Sequence, residues 1–261
     1  MFNFCSLYSG SSGNSLFVQT DNTKILVDAG ESAKKIETAL NSIDVNINDI
    51  DAVIVTHEHS DHIKGLSTIS KKFDIPIYAN KETWDAMPQV AEKTKNQNLF
   101  NVNEKFEIGD LKIVPFSIPH DAANPCGFNI FYNNQKISIA TDIGHIDKKI
   151  IKNLEESSFI LLESNYDPNI LSYSKYPYSL KQRIAGPNGH LSNEAAGKTV
   201  SYLLNSGLKN VMLGHLSKEN NFPELAYQTV IEELISSNFD ENSIRVSVAN
   251  RNEPSKIVTV S

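Results

Sequence analysis

Apolar residues recur along this chain in two patterns, short continuous runs and longer stretches with helical spacing. The runs are rich in Val, Ile, Leu and Phe, a composition typical of buried strands. The longer stretches repeat an apolar residue every three or four positions, which predicts helices. Strands are predicted up to Asp28 and at residues 53–55, 75–78, 98–102, 105–108, 111–117, 127–133, 136–141, 159–163 and 209–213, and helices at residues 32–42, 63–73, 81–95 (broken at Pro88), 192–205 and 223–237.

Strands and helices are interleaved throughout, and no linker, low-complexity run or block of like charges separates them. A chain of 261 residues is long enough to bury one large core. The pattern therefore predicts one compact α/β domain over residues 1–261.

Composition and charge narrow the class of protein. Hydrophobic residues make up 40% and charged residues 21%, values that exclude a disordered chain. The net charge of −7 means that a polyanionic partner needs a local basic patch. Only Cys5 and Cys126 are present, and no apolar run reaches the length of a membrane span. We therefore expect a cytoplasmic protein without a membrane partner.

The densest group of chemically active side chains follows the apolar run at 53–55. His57, His59, Asp61 and His62 lie within six residues, and all four are possible ligands of zinc and related metals. In an extended backbone the first three would project to one side and His62 to the other, so one loop could serve two neighbouring ions. A single histidine is more often a core or surface residue, but four such residues at this spacing favour a metal site.

Other apolar runs also end in residues that bind metals or transfer protons. His120, Asp142 and His215 each follow a predicted strand, and Glu163 is the last residue of one. This arrangement predicts a shared site at the ends of the strands.

The spacing His-x-His-x-Asp-His resembles the signature of the metallo-β-lactamase superfamily. The resemblance implies an αββα sandwich, in which two β-sheets face each other, helices cover the outside and the ligands lie on loops at one edge. It also implies a role for Asp28, which would hold a ligand from behind by hydrogen bonding. The implied ligands are His57, His59 and His120 for one ion, Asp61, His62 and His215 for a second, and Asp142 between them.

Two such ions, of zinc or manganese with iron as a further option, would lower the pKa of a shared water to near 7, and Asp61 would orient the resulting hydroxide. Asp142 occupies a position where zinc β-lactamases commonly have cysteine, which argues against antibiotic hydrolysis. His59 occupies a position where flavodiiron oxidoreductases have glutamate, which argues against oxygen reduction. Hydrolysis remains as the expected reaction.

The segment Gly189-His190-Leu191-Ser192-Asn193 resembles the histidine motif of superfamily nucleases that process transfer-RNA ends. In those enzymes a histidine paired with a glutamate protonates the leaving oxygen, which assigns that role to His190 and Glu163. The alternative for His190 is a surface residue at the start of a helix.

A longer set of motifs is similar to the bacterial YycJ/VicX family, whose members are regarded as metal-dependent nucleases with a proposed role in DNA repair. Tyr166 departs from that family, where histidine is expected. His145 has a role in supporting a ligand or contacting substrate, or it is simply solvated. The matching motifs are Ser9-Gly10-Ser11-Ser12-Gly13-Asn14, Asp28-Ala29-Gly30, His120-Asp121-Ala122, Glu163-Ser164-Asn165, Tyr176-Pro177, Lys181, Arg183, the His190 segment and Gly214-His215-Leu216-Ser217-Lys218-Glu219-Asn220-Asn221.

Candidate substrate contacts lie in two places. The loop with Ser11 and Asn14 is rich in small residues whose backbone N–H groups could approach an anion, although it could equally be a plain hairpin connection. Asn165 is a third candidate. Residues 173–183 interleave tyrosines with basic groups, including Tyr178, Lys181 and Arg183, as single-strand binding requires, or form a lid or a solvated helix.

Three functions follow from these observations. The first is a dinuclear metal phosphodiesterase that acts on nucleic acid, with a DNA exonuclease favoured over an RNA enzyme. The second is a thioester or lactone hydrolase of the glyoxalase II kind, which shares the seven ligands but does not need the Glu163 and His190 pair. The third is a regulatory metal-binding protein that acts on a neighbouring two-component system without turnover.

Overall fold

The computed structural model describes residues 1–240 and 243–260 and divides the chain into two compact units. Unit 1 comprises Met1–Ser117, Ala122–Gln135 and Asn250–Ser261, and unit 2 comprises Ile118–Asp121 and Lys136–Ala249. The chain forms two mixed sheets of seven strands with helices around them, which confirms the predicted α/β class.

Unit 1 contains one complete sheet with the strand order β14-β1-β2-β3-β4-β5-β6. Its strands are β1 (Asn3–Tyr8), β2 (Ser15–Gln19), β3 (Lys24–Val27), β4 (Ala52–Ile54), β5 (Ile77–Ala79), β6 (Gln97–Leu99) and β14 (Val258–Thr259). Strands β3 and β4 are parallel, with Val27 opposite Ile54, so their carboxyl ends meet at one edge. The unit also carries the antiparallel strands β7 (Phe106–Ile108), β8 (Leu111–Ser117) and β9 (Cys126–Tyr132).

The helices of unit 1 cover its sheet with apolar side chains. The Ser32 hydroxyl caps the first of them by accepting from the Lys35 N–H, and Ile36 and Leu40 are fully buried one turn apart. The helices are α1 (Ala33–Asn41), α2 (Ser60–Ile63), α3 (Leu66–Phe73), α4 (Lys81–Ala86) and α5 (Pro88–Ala91), with a 3₁₀ turn at Ile47–Asp49.

Some local predictions for unit 1 were wrong. The backbone is not extended through Asp61, because α2 begins at Ser60. The helix predicted at 63–73 is interrupted near its start, because α2 ends at Ile63 and α3 begins at Leu66, although Lys64 and Gly65 keep right-handed helical backbone angles. The strand predicted at 98–102 ends at Leu99. The predicted break at Pro88 is confirmed, because Pro88 opens α5 at a position where its missing N–H costs nothing.

Unit 2 is built on four parallel strands, β10 (Gln135–Ala140), β11 (Phe159–Glu163), β12 (Asn210–Gly214) and β13 (Arg245–Val248), paired in that order. Strand β11 is buried along its whole length, as its continuous apolar run predicts. The helices are α6 (Lys148–Leu154), α7 (Pro168–Tyr173), α8 (Tyr178–Ile184), α9 (Asn193–Leu204) and α10 (Pro223–Ser236). The carboxyl ends of β10, β11 and β12 therefore lie side by side.

No helix among the described residues is both long enough and apolar enough to cross a bilayer.

Candidate metal centre

Four side chains that follow β4 form what we call the N-terminal ligand group: His57, His59, Asp61 and His62. His57 and His62 are buried, while the other two are partly exposed. Nε2 of His57 lies 3.1 Å from Nδ1 of His59, and Nε2 of His62 lies 3.6 Å from Oδ2 of Asp61. Two ligands held 2.0–2.1 Å from one tetrahedral ion lie about 3.3–3.4 Å apart, so both separations suit a shared ion.

Asp28 and Thr56 lie behind this group, at the adjacent ends of β3 and β4. Oδ1 of Asp28 accepts from the Thr56 N–H, and Oδ2 accepts from the Thr56 hydroxyl, each at 2.8 Å. Oδ2 also accepts from Nδ1 of His62 at 2.7 Å. The Thr56 hydroxyl, having donated to the carboxylate, accepts from Nδ1 of His57 at 2.9 Å. Asp28 and Thr56 therefore orient two of the four candidate ligands.

The loop that carries Asp61 is held by the predicted Ser/Gly loop and by Gly30. The Asn14 N–H donates to the Asp61 carbonyl at 2.8 Å, and Nδ2 of Asn14 lies 3.0 Å from Nε2 of His62. A Cβ at Gly30 would lie 1.6 Å from the Asp61 carbonyl oxygen, so only glycine fits there. Asn14 thus contacts the ligand group, whereas Ser11 is exposed in the same loop.

In unit 2, His120, Asp142 and His215 form what we call the C-terminal ligand group. Oδ1 of Asp142 lies 3.5 Å from Nε2 of His215 and 3.7 Å from Nε2 of His120. These separations are too long for strong hydrogen bonds and close to the spacing of two ligands on one ion. Asp142 and His215 have positive φ angles of 59° and 55°, a conformation that costs energy and occurs at functional sites.

Glu163 joins these residues from the end of β11. The side chain is fully buried, and its two oxygens accept four hydrogen bonds. Oε1 accepts from Nδ1 of His190 at 2.8 Å and from Nδ1 of His215 at 2.9 Å. Oε2 accepts from the backbone N–H groups of Ile143 at 2.7 Å and Leu191 at 3.1 Å. Glu163 therefore orients a ligand in the same way as Asp28 does in unit 1.

Four of the five ligand histidines share one hydrogen-bonding arrangement. Each donates from Nδ1 to an oxygen, which fixes the tautomer and leaves Nε2 as the nitrogen that could bind a metal ion. The acceptors are the Thr56 hydroxyl for His57, Asp28 for His62, the Gly189 carbonyl for His120 and Glu163 for His215. Both ligand groups are thus suited to binding metal ions.

His190 lies beside the C-terminal ligand group without belonging to it. Its ring centroid is 5.3 Å from those of His120 and His215, and its side chain is 23% exposed. The alternative of a surface residue at the helix start is therefore not favoured. Burial lowers the pKa of His190, but the charge and hydrogen bond of Glu163 outweigh this and hold the pKa above its usual value. Burial also raises the pKa of Glu163, and the two neighbouring imidazoles more than reverse that effect.

Comparison with known proteins identifies the family. Residues 23–215 match the model of the Beta-lactamase superfamily domain. The chain is 39% identical over 238 residues to Exodeoxyribonuclease YycJ of Bacillus anthracis, a match that covers 90% of each protein. It is 38% identical over 237 residues to Exodeoxyribonuclease WalJ of Streptococcus pneumoniae, covering 89% of this chain and 88% of that protein. The chain belongs to the YycJ family of the beta-lactamase superfamily.

The fold of this YycJ-family chain is also that of solved relatives. The crystal structure of YhfI from Bacillus subtilis, a metallo-β-lactamase fold protein, superposes with a TM-score of 0.72. The alignment covers 98% of this chain and 100% of that one at 16% identity. The predicted metallo-β-lactamase fold class is therefore confirmed.

In this YycJ-family chain, three of the expected substrate contacts in unit 2 have partners within the protein. Nδ2 of Asn165 donates to the His215 carbonyl at 2.7 Å and so holds the turn that carries this ligand. Nε of Arg183 donates to Asp121 at 2.6 Å, which ties α8 to the residue after His120. Lys181 donates to the Ser172 carbonyl at 2.6 Å, whereas Tyr178 is 75% exposed on the same helix. Asn165 thus holds the turn that carries His215, and Arg183 holds the turn that carries His120.

Residues 178–184 form the helix α8, as one of the alternatives for the basic and aromatic segment predicts. Three supporting groups were not predicted: the Thr56 hydroxyl, the Gly189 carbonyl, and the second hydrogen bond of Glu163, to His215. Of these, only the threonine directly before His57 left a signal in the sequence.

Proposed function

We propose that this chain is a metal-dependent exonuclease that acts on DNA. The observation that carries the proposal is the 2.8 Å hydrogen bond between His190 and buried Glu163, beside Asp142 and His215. The alkoxide that leaves a phosphodiester is a poor leaving group, and a positioned proton donor assists its departure. A thiolate leaves without such help, so the pair favours a phosphodiesterase over a glyoxalase-like enzyme. The relatives named exodeoxyribonucleases support DNA as the substrate.

The proposal includes two divalent ions, of zinc or manganese with iron as a further option. His57, His59 and His120 would hold one ion, Asp61, His62 and His215 the other, and Asp142 would be shared. The Nδ1 hydrogen bonds and ligand separations within each unit support this set. When bound, such ions neutralise phosphate charge and lower the pKa of water to about 7.

The remaining steps belong to side chains of this protein. Asp61, at the edge of the N-terminal ligand group, would orient the attacking water. His190, protonated and held through Nδ1 by Glu163, would donate the proton on Nε2 to the leaving oxygen. Glu163 would stay ionised throughout, since four donors surround its two oxygens.

We further propose that residues 1–261 act as one domain and that the protein works in the cytoplasm. The matched family model spans residues of both units, which supports a single domain. Both cysteines are free and buried, which supports a reducing compartment.

Cleavage of end-labelled DNA and RNA, single- and double-stranded, tests the function. Protein stripped of metal is resupplied with manganese or zinc, and a generic thioester is assayed in parallel. We expect metal-dependent release of nucleotides from DNA that is lost in Asp61→Asn. Thioester hydrolysis without nuclease activity would favour the glyoxalase-like enzyme, and inactivity on every substrate would favour the regulatory protein.

A further inference from the structure

A cavity of about 390 Å³ opens beside His190 within unit 2. One wall is a single face of α9, formed by Ala195, Lys198, Thr199 and Tyr202. The other walls come from the loops after β10 and β11, from α6 and from the segment that leads into α9. The volume lies near the lower end of the range for small-ligand sites, which suits one nucleoside rather than a duplex.

The polar side chains around this cavity fall into two classes. The hydroxyls of Ser192 and Thr199 form hydrogen bonds within α9. The Ser192 hydroxyl accepts from the Ala195 N–H at 3.2 Å, and the Thr199 hydroxyl donates to the Ala195 carbonyl at 2.7 Å. In contrast, the Lys198 ammonium and the hydroxyls of Tyr166 and Tyr202 form no hydrogen bond or ion pair within residues 1–240 and 243–260. Those three groups are available to a ligand.

His145 adds a fourth polar group. Its Nδ1 donates to the Pro187 carbonyl at 2.8 Å, so this nitrogen carries a proton and Nε2 is the ring nitrogen left to contact a ligand. A cavity with a few convergent polar groups on a largely apolar lining is the usual form of a small-molecule site.

The apolar lining suits a planar ring. Ile146, Ile151 and Leu191 contribute aliphatic surface, and the Tyr202 side chain is 55% exposed at the cavity wall. Stacking of a nucleobase on an exposed aromatic ring is favourable and tolerates any base, because every base has a π-face. An enzyme that removes successive nucleotides needs that tolerance.

The position of His190 decides which part of a substrate this cavity would take. His190 lines the cavity, and in the proposed function it donates a proton to the leaving oxygen. In cleavage from the 5′ end that leaves the scissile phosphate on the shortened strand, that oxygen is O3′ of the departing nucleotide, which therefore lies against the proton donor. We propose, on the basis of the proposed function, that the cavity is the subsite for the departing nucleoside, with its base on Tyr202 and its remaining phosphate at Lys198.

Equilibrium binding to the metal-loaded protein tests the assignment. The probes are deoxyadenosine, deoxyadenosine 5′-monophosphate and inorganic phosphate. Tyr202→Ala should weaken binding of both adenine compounds by about 5- to 150-fold and leave phosphate binding as in the wild type. Lys198→Ala should weaken binding of the monophosphate and of inorganic phosphate and leave deoxyadenosine binding as in the wild type. Tyr227→Ala, which changes a 41% exposed tyrosine on α10 that does not line the cavity, should change none of the three.

DNA turnover separates the failure of this subsite from the failure of the proposed function. We expect kcat/KM on DNA to fall in Tyr202→Ala and not in Tyr227→Ala. Equal binding of the adenine compounds by these two variants would overturn the subsite, even if the wild type is an active nuclease. Binding that depends on Tyr202 in a protein that cleaves no phosphodiester would instead overturn the proposed function and leave the cavity as a nucleoside site.

Discussion

Nδ1 of His215 lies 2.9 Å from Oε1 of Glu163, the same oxygen that accepts from His190 at 2.8 Å. A single carboxylate oxygen therefore orients a candidate metal ligand and the proposed proton donor together. The carboxylate is fully buried and accepts from both imidazoles, so in the proposed function metal binding and proton donation are linked through Glu163.

Glu163→Gln should weaken both metal binding and proton donation by His190. A glutamine has one acceptor oxygen, and its amide group would face either the two imidazole N–H groups or the two backbone N–H groups. We expect metal affinity to fall by about 10- to 100-fold, measured by competition with a chelator of known affinity. Glu194→Gln, on the exposed first turn of α9, is the matched control and should bind metal as the wild type does. Unchanged metal affinity in Glu163→Gln would contradict the role of this carboxylate.

The pH dependence of DNA cleavage should report the protonation of His190. Glu163 raises the pKa of His190 above its usual value, so the proton donor persists to higher pH and is lost as the pH rises through that pKa. We expect kcat to fall on the alkaline side. In Glu163→Gln, assayed at saturating metal, this limb should move to lower pH, because the carboxylate that stabilises the imidazolium is gone. An alkaline limb at the same pH in both proteins would assign the titration to another group.

His190→Gln should slow cleavage more for a substrate with a poor leaving group than for one with a good leaving group. DNA loses an alkoxide and needs the proton donor, so its cleavage should fall by about 10²- to 10⁴-fold. Bis(p-nitrophenyl) phosphate loses a stable phenolate, and its cleavage should fall far less. Metal content measured on the same samples should match the wild type, since four acceptors other than His190 hold the ligand histidines. An equal loss on both substrates would rule out proton donation by His190.

Long apolar segments were predictable, and short elements defined by distant pairing were not. The predicted strand at 159–163 and helix at 223–237 match β11 and α10 to within one residue. The helix α6 was missed because four of its seven residues are lysine or asparagine, which leaves little periodicity. The two-residue strand β14 exists only through its pairing with β1, more than 250 residues away in sequence.

The candidate site also has a part that the sequence predicts and a part that it does not. Side-chain types and the spacing between them mark the candidate ligands, because three imidazoles and a carboxylate within six residues are typical of a metal site. The groups that orient the ligands are harder to find. The Gly189 carbonyl that holds His120 has no side-chain signature, and it comes from a segment 69 residues away. Only the folded backbone brings such acceptors to their donors.

Thr56→Val tests the arrangement behind the N-terminal ligand group. Valine has nearly the same shape as threonine but lacks the hydroxyl that donates to Asp28 and accepts from Nδ1 of His57. His57 is fully buried, so its N–H would lose a partner at a cost of about 1–3 kcal/mol. We expect metal affinity to fall by about 10- to 100-fold, because the ring of His57 is no longer held in one tautomer.

Two further variants make the Thr56 test specific. Thr56→Ser keeps the hydroxyl and should retain metal affinity within a few-fold of the wild type. Thr38→Val removes a threonine hydroxyl on the exposed face of α1, where it bonds only to the Lys34 carbonyl, and should change neither metal affinity nor the thermal unfolding midpoint of metal-free protein. If Thr56→Val and Thr56→Ser bind metal equally well, the hydroxyl does not orient His57, and Asp28 acts on the ligand group through His62 alone.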